Sequence, residues 1–185
     1  MRKLLAAGLL ALVAAALIVS VAPAKNGNGG RHLSAHLDGY QEVPAISTTG
    51  HGKFKAKVRG DSVEFKLRYG DLSSPVKFAH VHFGREAVNG GVIAFLCGGG
   101  GKPACPPSGE VTGTIVPADI LDVVFPGPQG IAAGEFDEFV RALKAEAVYA
   151  NVHTDTFGSG EIRGQVGGHG HHFGHGHGGK GHDRD

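Results

Sequence analysis

The stretch KFKAKVRGDSVEFKLRY, residues 53–69, constrains this chain more than any other. Phe54, Ala56 and Val58 alternate with Lys53, Lys55, Lys57 and Arg59. After Gly-Asp-Ser, Val63, Phe65, Leu67 and Tyr69 alternate with Glu64, Lys66 and Arg68. A period of two sends successive side chains to opposite faces of a strand, whereas a helix would scatter the lysines and phenylalanines around its circumference. The segment therefore reads as a β-hairpin with one apolar and one charged face, belonging to an antiparallel sheet packed along one side only. Arg59-Gly60-Asp61 spells a cell-adhesion tripeptide, but at a hairpin tip turn chemistry accounts for it.

Further strands are expected at 33–38, 76–83, 91–96, 110–116, 148–154 and 161–166. One segment changes period. Phe136, Phe139, Val140 and Leu143 follow helical spacing, with Glu135, Asp137 and Glu138 early and Arg141 and Lys144 late, as the helix dipole favours. This predicts a helix over about 135–146. Many short strands and one helix give an all-β fold class, an antiparallel β-sandwich or flattened Greek-key barrel with one short α-helix.

The ends differ from this middle. Residues 1–24 begin with Arg2 and Lys3, run apolar from Leu4, and reach Ala22-Pro23-Ala24, the pattern of a secretory signal peptide cleaved after Ala24. An uncleaved anchor is the alternative, since the apolar run is nearly long enough to span a bilayer, and it would be the route to a membrane. Residues 25–31 read as a flexible Gly/Asn linker, 32–166 as one β-domain, and 167–185 as a disordered Gly/His-rich tail. The expected location is secreted or extracytoplasmic, in the periplasm or cell envelope. Cleavage removes Arg2 and Lys3 and no acid, so 18 Lys+Arg fall to 16 against 17 Asp+Glu. A chain so near neutrality has no bulk charge for nucleic acid.

Cys97 and Cys105 bracket the Gly-rich loop CGGGGKPAC. In an oxidising compartment they are expected to form a disulfide; a pair of thiolate metal ligands is the alternative.

Histidine carries most of the chemistry. His80 and His82 in FAHVHF share the strand face opposite Ala79 and Val81, and His153 in VYANVHT shares the face opposite Val152. Two imidazoles two residues apart on a strand can reach one ion, and a third from a neighbouring strand would complete a three-ligand set suited to copper or zinc. The competing reading is a hydrogen-bonded polar cluster with partners from Asn151, Thr154, Glu161 and Arg163, the second face of the sheet being covered by loops. His36 and His51 are further candidates but read as surface residues. In the tail, His169, His171, His172, His175, His177 and His182 offer loose multisite metal binding. His153, Asp155 and Ser159 could be assembled into a triad on paper, but FGSG reads as a loop and not as a nucleophile turn. CGGGGK lacks the strand-to-helix context and the Lys-Ser/Thr ending of a phosphate loop.

Three segments, LDGYQEVPAISTTGHGKF at 37–54, FAHVHFGREAVNGGVIAFL at 78–96 and VYANVHTDTFGSGEIRGQV at 148–166, resemble the CHRD domain, named for its occurrence in chordin and common in exported bacterial proteins. The resemblance implies an extracellular all-β module of immunoglobulin-like or sandwich type, stand-alone here, with no established enzyme activity. The chain lacks chordin's cysteine-rich modules, so growth-factor binding does not carry over. HVH also resembles the copper-ligand strand of copper–zinc superoxide dismutases. The His-rich zinc loop with its aspartate is missing, however, the disulfide loop lies elsewhere, and the fourth copper histidine has no candidate. The expectation is a non-enzymatic exported protein binding a transition metal, copper before zinc, at His80, His82 and His153. An extracellular interaction or matrix module with structural histidines, partnered by an extracellular or envelope protein, is the alternative. A dismutase-like copper enzyme is a remote one.

Overall fold

A computed structural model describes residues 31–168. The expected signal segment, nearly all of the linker and the six tail histidines lie outside the described residues. The strands are β1 (His32–Asp38), β2 (His51–Arg59), β3 (Ser62–Gly70), β4 (Val76–Phe83), β5 (Gly91–Cys97), β6 (Gly109–Ile115), β7 (Val148–Thr154) and β8 (Ile162–Gln165). They form one sheet in the order β5-β4-β7-β8-β1-β2-β3-β6, with every pairing antiparallel. The edge strands β5 and β6 approach each other, so the sheet rolls into a nearly closed barrel.

The barrel interior holds the residues that alternation assigns to it. Leu33, Ala35 and Leu37 of β1 meet Phe54 and Ala56 of β2, Phe65 and Leu67 of β3, Ala79 and Val81 of β4, and Ala150 and Val152 of β7. The β2–β3 turn is Gly60-Asp61, and Gly60 takes a positive φ of 54° that a side chain would resist. The helix α1 (Phe136–Lys144) is shorter than expected at both ends. Its C-terminus closes with Glu146 at φ 54° while the Ala147 amide donates to the Ala142 carbonyl, a left-handed ending that satisfies the last carbonyls. Phe136, Phe139, Val140 and Leu143 are all buried, as helical spacing requires. Among the described residues no helix is long and apolar enough to cross a membrane.

Cys97 and Cys105 are bonded, tying the end of β5 to the loop before β6 and leaving no thiolate ligand pair.

The sheet is not packed along one side only, as the hairpin pattern suggested; loops also cover part of its second face. The faces of β4, β7 and β8 opposite the barrel interior are not wet. All seven residues of β7 are buried, and so are Glu161 and Arg163. Loops 39–50, 71–75, 84–90 and 155–161 fold over this second face. Glu161 holds three of them together. Its carboxylate accepts hydrogen bonds from the Thr48 hydroxyl at 2.6 Å, the Ser73 amide at 2.9 Å, the Ser73 hydroxyl at 2.7 Å and the Thr154 hydroxyl at 2.8 Å. Burial alone would raise the Glu161 pKa, but these donors outweigh it and hold the carboxyl below its ordinary value. Arg163 holds another loop, donating to the carbonyls of Arg85 and Val88 at 2.9 and 2.8 Å and to Asn89 Oδ1 at 3.3 Å.

Candidate metal centre

The strand order brings β4 and β7 together, and their register pairs Phe78 with His153 and His80 with Asn151. His153 therefore stands diagonally across from His80 and one row further from His82, all on the roofed face. The ring centroids of His80 and His153 are 4.6 Å apart, and those of His80 and His82 are 5.2 Å apart. On the other side of β4 the pairing with β5 shifts register between Ala79 and His80 and again between Val81 and His82. Such irregularities re-aim side chains, and here one immediately precedes each histidine.

The hydrogen bonds settle which nitrogens hold protons. A carbonyl oxygen can only accept, so the His82 Nδ1–H donates to the Gly90 carbonyl at 2.9 Å and the His153 Nδ1–H donates to the Gly158 carbonyl at 3.1 Å. Each neutral ring then keeps its lone pair on Nε2. His82 Nε2 lies 3.2 Å from His80 Nδ1. His153 Nε2 is buried with no hydrogen-bond partner. The three rings offer ligand atoms that all lie within 4.8 Å of one another. For comparison, two nitrogens sharing one zinc at about 2.0–2.1 Å stand about 3.3 Å apart at the tetrahedral angle. The His80–His82 pair, at 3.2 Å, is already at that spacing, and the widest pair has at most about 1.5 Å to close.

Burial keeps the cluster neutral. It lowers the His80 pKa to about 2, aided by the neighbouring His153 and His82. It lowers His82 to about 4 against the opposing Gly90 hydrogen bond, and His153 to about 4 against the Gly158 one. Deprotonated imidazole is the form that ligates metal. Aromatic rings wall the site. Phe78 and Phe95 pack on His80, and Tyr149 stacks on His82 with centroids 4.6 Å apart. The Arg163 guanidinium lies 3.4 Å from the Tyr149 centroid on that ring's face, which makes a guanidinium–phenol–imidazole stack. The three histidines are only 5–8% exposed.

A family model described as the CHRD domain matches residues 33–166. The chain belongs to the CHRD-domain family. No curated protein and no solved structure matches it. The CHRD domain thus covers the whole rolled sheet, from the second residue of β1 to just past β8, and contains all three clustered histidines.

Other expected site residues fall differently. His36 and His51 lie exposed on the outward face of β1 and β2, away from the cluster, and His51 sits 3.6 Å from Asp71. Asp155 pairs with Lys77 at 3.4 Å, while His153 uses the Gly158 carbonyl, so the paper triad is not assembled. Asn151, Thr154, Glu161 and Arg163 do not hydrogen-bond the histidines. Asn151 donates to Glu42 and to the Ile162 carbonyl, and Thr154 donates to Glu161. Sequence reasoning passed over Glu42, which is buried beside Asn151, its pKa pushed up to about 7 by burial against the pull of Asn151 and Arg163. It lies in the loop segment GYQEVP with no periodicity to mark it. Gly160, at φ 126°, makes room for this pair, because a Cβ there would fall 2.6 Å from Glu42 Oε1 and 2.7 Å from Asn151 Nδ2.

Proposed function

We propose that this protein is an exported, non-enzymatic CHRD-domain protein that binds one transition-metal ion, copper before zinc, through His80, His82 and His153. One observation carries the reading: a buried His153 Nε2 without a partner, beside two imidazole nitrogens at ligand spacing. An unsatisfied buried polar atom is costly, and a cation is the partner that would satisfy three lone pairs at once. Without an ion, the proton on His80 Nδ1 bridges to His82 Nε2. Moving that proton to His80 Nε2 turns the same nitrogen into a ligand with no net charge change. Three neutral imidazoles without a carboxylate suit copper and zinc over magnesium or calcium, and the Irving–Williams order puts copper(II) ahead of zinc. The carbonyls of Gly90 and Gly158 would fix ring orientation, as outer partners of metal-bound histidines do. Export is supported by the disulfide, which oxidising compartments sustain.

The test separates core from tail. Residues 25–168 keep the whole described fold, including the pairing of Gly167 with Ser34. This fragment, titrated with Cu²⁺ and Zn²⁺, is expected to bind one equivalent, and His82→Ala is expected to abolish that site. Equal weak binding by both proteins would leave the histidines structural and the protein an interaction or matrix module.

A further inference from the structure

The outward face of β1, β2, β3 and β6 carries a concentration of positive charge that the folded sheet does not explain. β2 and β3 present six cations, Lys53, Lys55, Lys57, Arg59, Lys66 and Arg68, against Asp61 and Glu64, in a chain whose formal charge is only +1. The register places Lys53 directly opposite Arg68 and Lys55 directly opposite Lys66. Like charges facing each other across a strand pair destabilise a sheet. Carboxylates relieve part of this. Glu110 of β6 pairs with Lys66 at 2.7 Å and Arg68 at 2.5 Å, and Glu64 pairs with Arg59 at 2.9 Å. Among the described residues no carboxylate lies within ion-pair distance of Lys53, Lys55 or Lys57, although the register sets Glu64, which pairs with Arg59, opposite Lys57. These three stand in one row along β2, about 6.6–6.8 Å apart at the backbone.

We infer that this face binds a linear anionic polysaccharide. A row of unpaired cations at regular spacing matches a polymer with evenly repeated carboxylate or sulfate groups. The flanking positions in the same cross-strand rows are hydroxyls: Ser34 opposite Lys55, Thr112 opposite Lys66, and Thr114 opposite Glu64. They can hydrogen-bond the hydroxyls of a sugar chain. The outward rows of β1, β2 and β3 hold no Phe, Tyr or Trp, so the platform on which single-stranded nucleic acid stacks is missing. Nor do they hold an apolar anchor for insertion into a lipid surface. The face lies across the barrel interior from the histidine cluster, so it is independent of metal.

The mature chain is assayed at pH 7.5, where the tail histidines are mostly neutral, in 0.15 M salt. Polygalacturonate and heparin are the probes, beside neutral dextran, a DNA duplex and phosphatidylserine vesicles. The protein is expected to bind the two acidic polysaccharides and not dextran. Lys53→Glu/Lys55→Glu/Lys57→Glu should weaken this about 100-fold, as a cation on a polyanionic surface contributes roughly a factor of five. Lys77→Glu/Arg141→Glu/Lys144→Glu, the same charge change elsewhere, should weaken it far less. Lys55→Glu alone should raise the melting temperature while lowering affinity, because it turns a like-charged pair into an opposite one. The inference is overturned if the two triple variants lose affinity equally, if native protein does not bind the polysaccharides, or if DNA or vesicles bind as tightly through the same lysines.

Discussion

Three buried neutral histidines make the fold acid-sensitive in a way that one carboxyl partly opposes. The folded pKa values of His80, His82 and His153 are lowered to about 2, 4 and 4, against about 6.5 in an unfolded chain. Below pH 6.5 the unfolded state takes up three protons that the folded state refuses, so stability falls as pH drops. Between pH 7 and 5 each histidine costs about 2 kcal/mol, about 6 kcal/mol for the three. Glu42 has the opposite sign. Its folded pKa of about 7 lies above the unfolded value of 4.5, so the folded state binds its proton first as pH falls. That returns about 2 kcal/mol over the same interval. The expected net loss is about 4 kcal/mol, a large part of the roughly 5–15 kcal/mol that holds a domain together. Urea unfolding of residues 25–168 at pH 7, 6 and 5, followed by circular dichroism without metal, measures it. Glu42→Gln removes the compensating proton and should deepen the loss to about 6 kcal/mol. A stability that stays flat from pH 7 to 5, or a Glu42→Gln protein with the parent's pH profile, would refute the reasoning.

Two stability effects follow from other parts of the fold. Glu161→Gln sets an amide N–H₂ against hydroxyl and amide donors that now share a carboxylate, and should cost about 2–3 kcal/mol in urea unfolding at pH 7. Replacing both Cys97 and Cys105 by alanine opens a loop with a sequence separation of 8 and should lower stability by about 2–3 kcal/mol, measured by urea unfolding.

Local pattern carried far where the backbone itself was periodic. The hairpin 53–69, the buried stripe Phe136–Phe139–Val140–Leu143 and the split of FAHVHF into two faces all needed only the spacing of apolar residues. It carried less far in β5. There Ile93 and Ala94 are both buried, as are Leu96 and Cys97, because two register shifts against β4 interrupt the alternation. It left open whether polar residues such as Glu161, Arg163 and Asn151 are buried or wet. An alternating polar position reads as solvent-facing, and only loops arriving from distant parts of the chain change that. Glu42 is the extreme case, since its burial depends on Asn151, a residue 109 positions away.

The candidate site divides along the same line. That His80 and His82 share one strand face, and that His153 lies on the corresponding face of another strand, is a property of local backbone geometry, and the sequence alone determined it. That β4 lies beside β7, with Phe78 opposite His153, was decided only by the tertiary structure. Such pairing between strands far apart in the chain reflects packing of the whole barrel, which no local period encodes. The loop roof over that face was decided at the same level. It takes the three rings out of water, keeps them neutral and leaves His153 Nε2 without a partner.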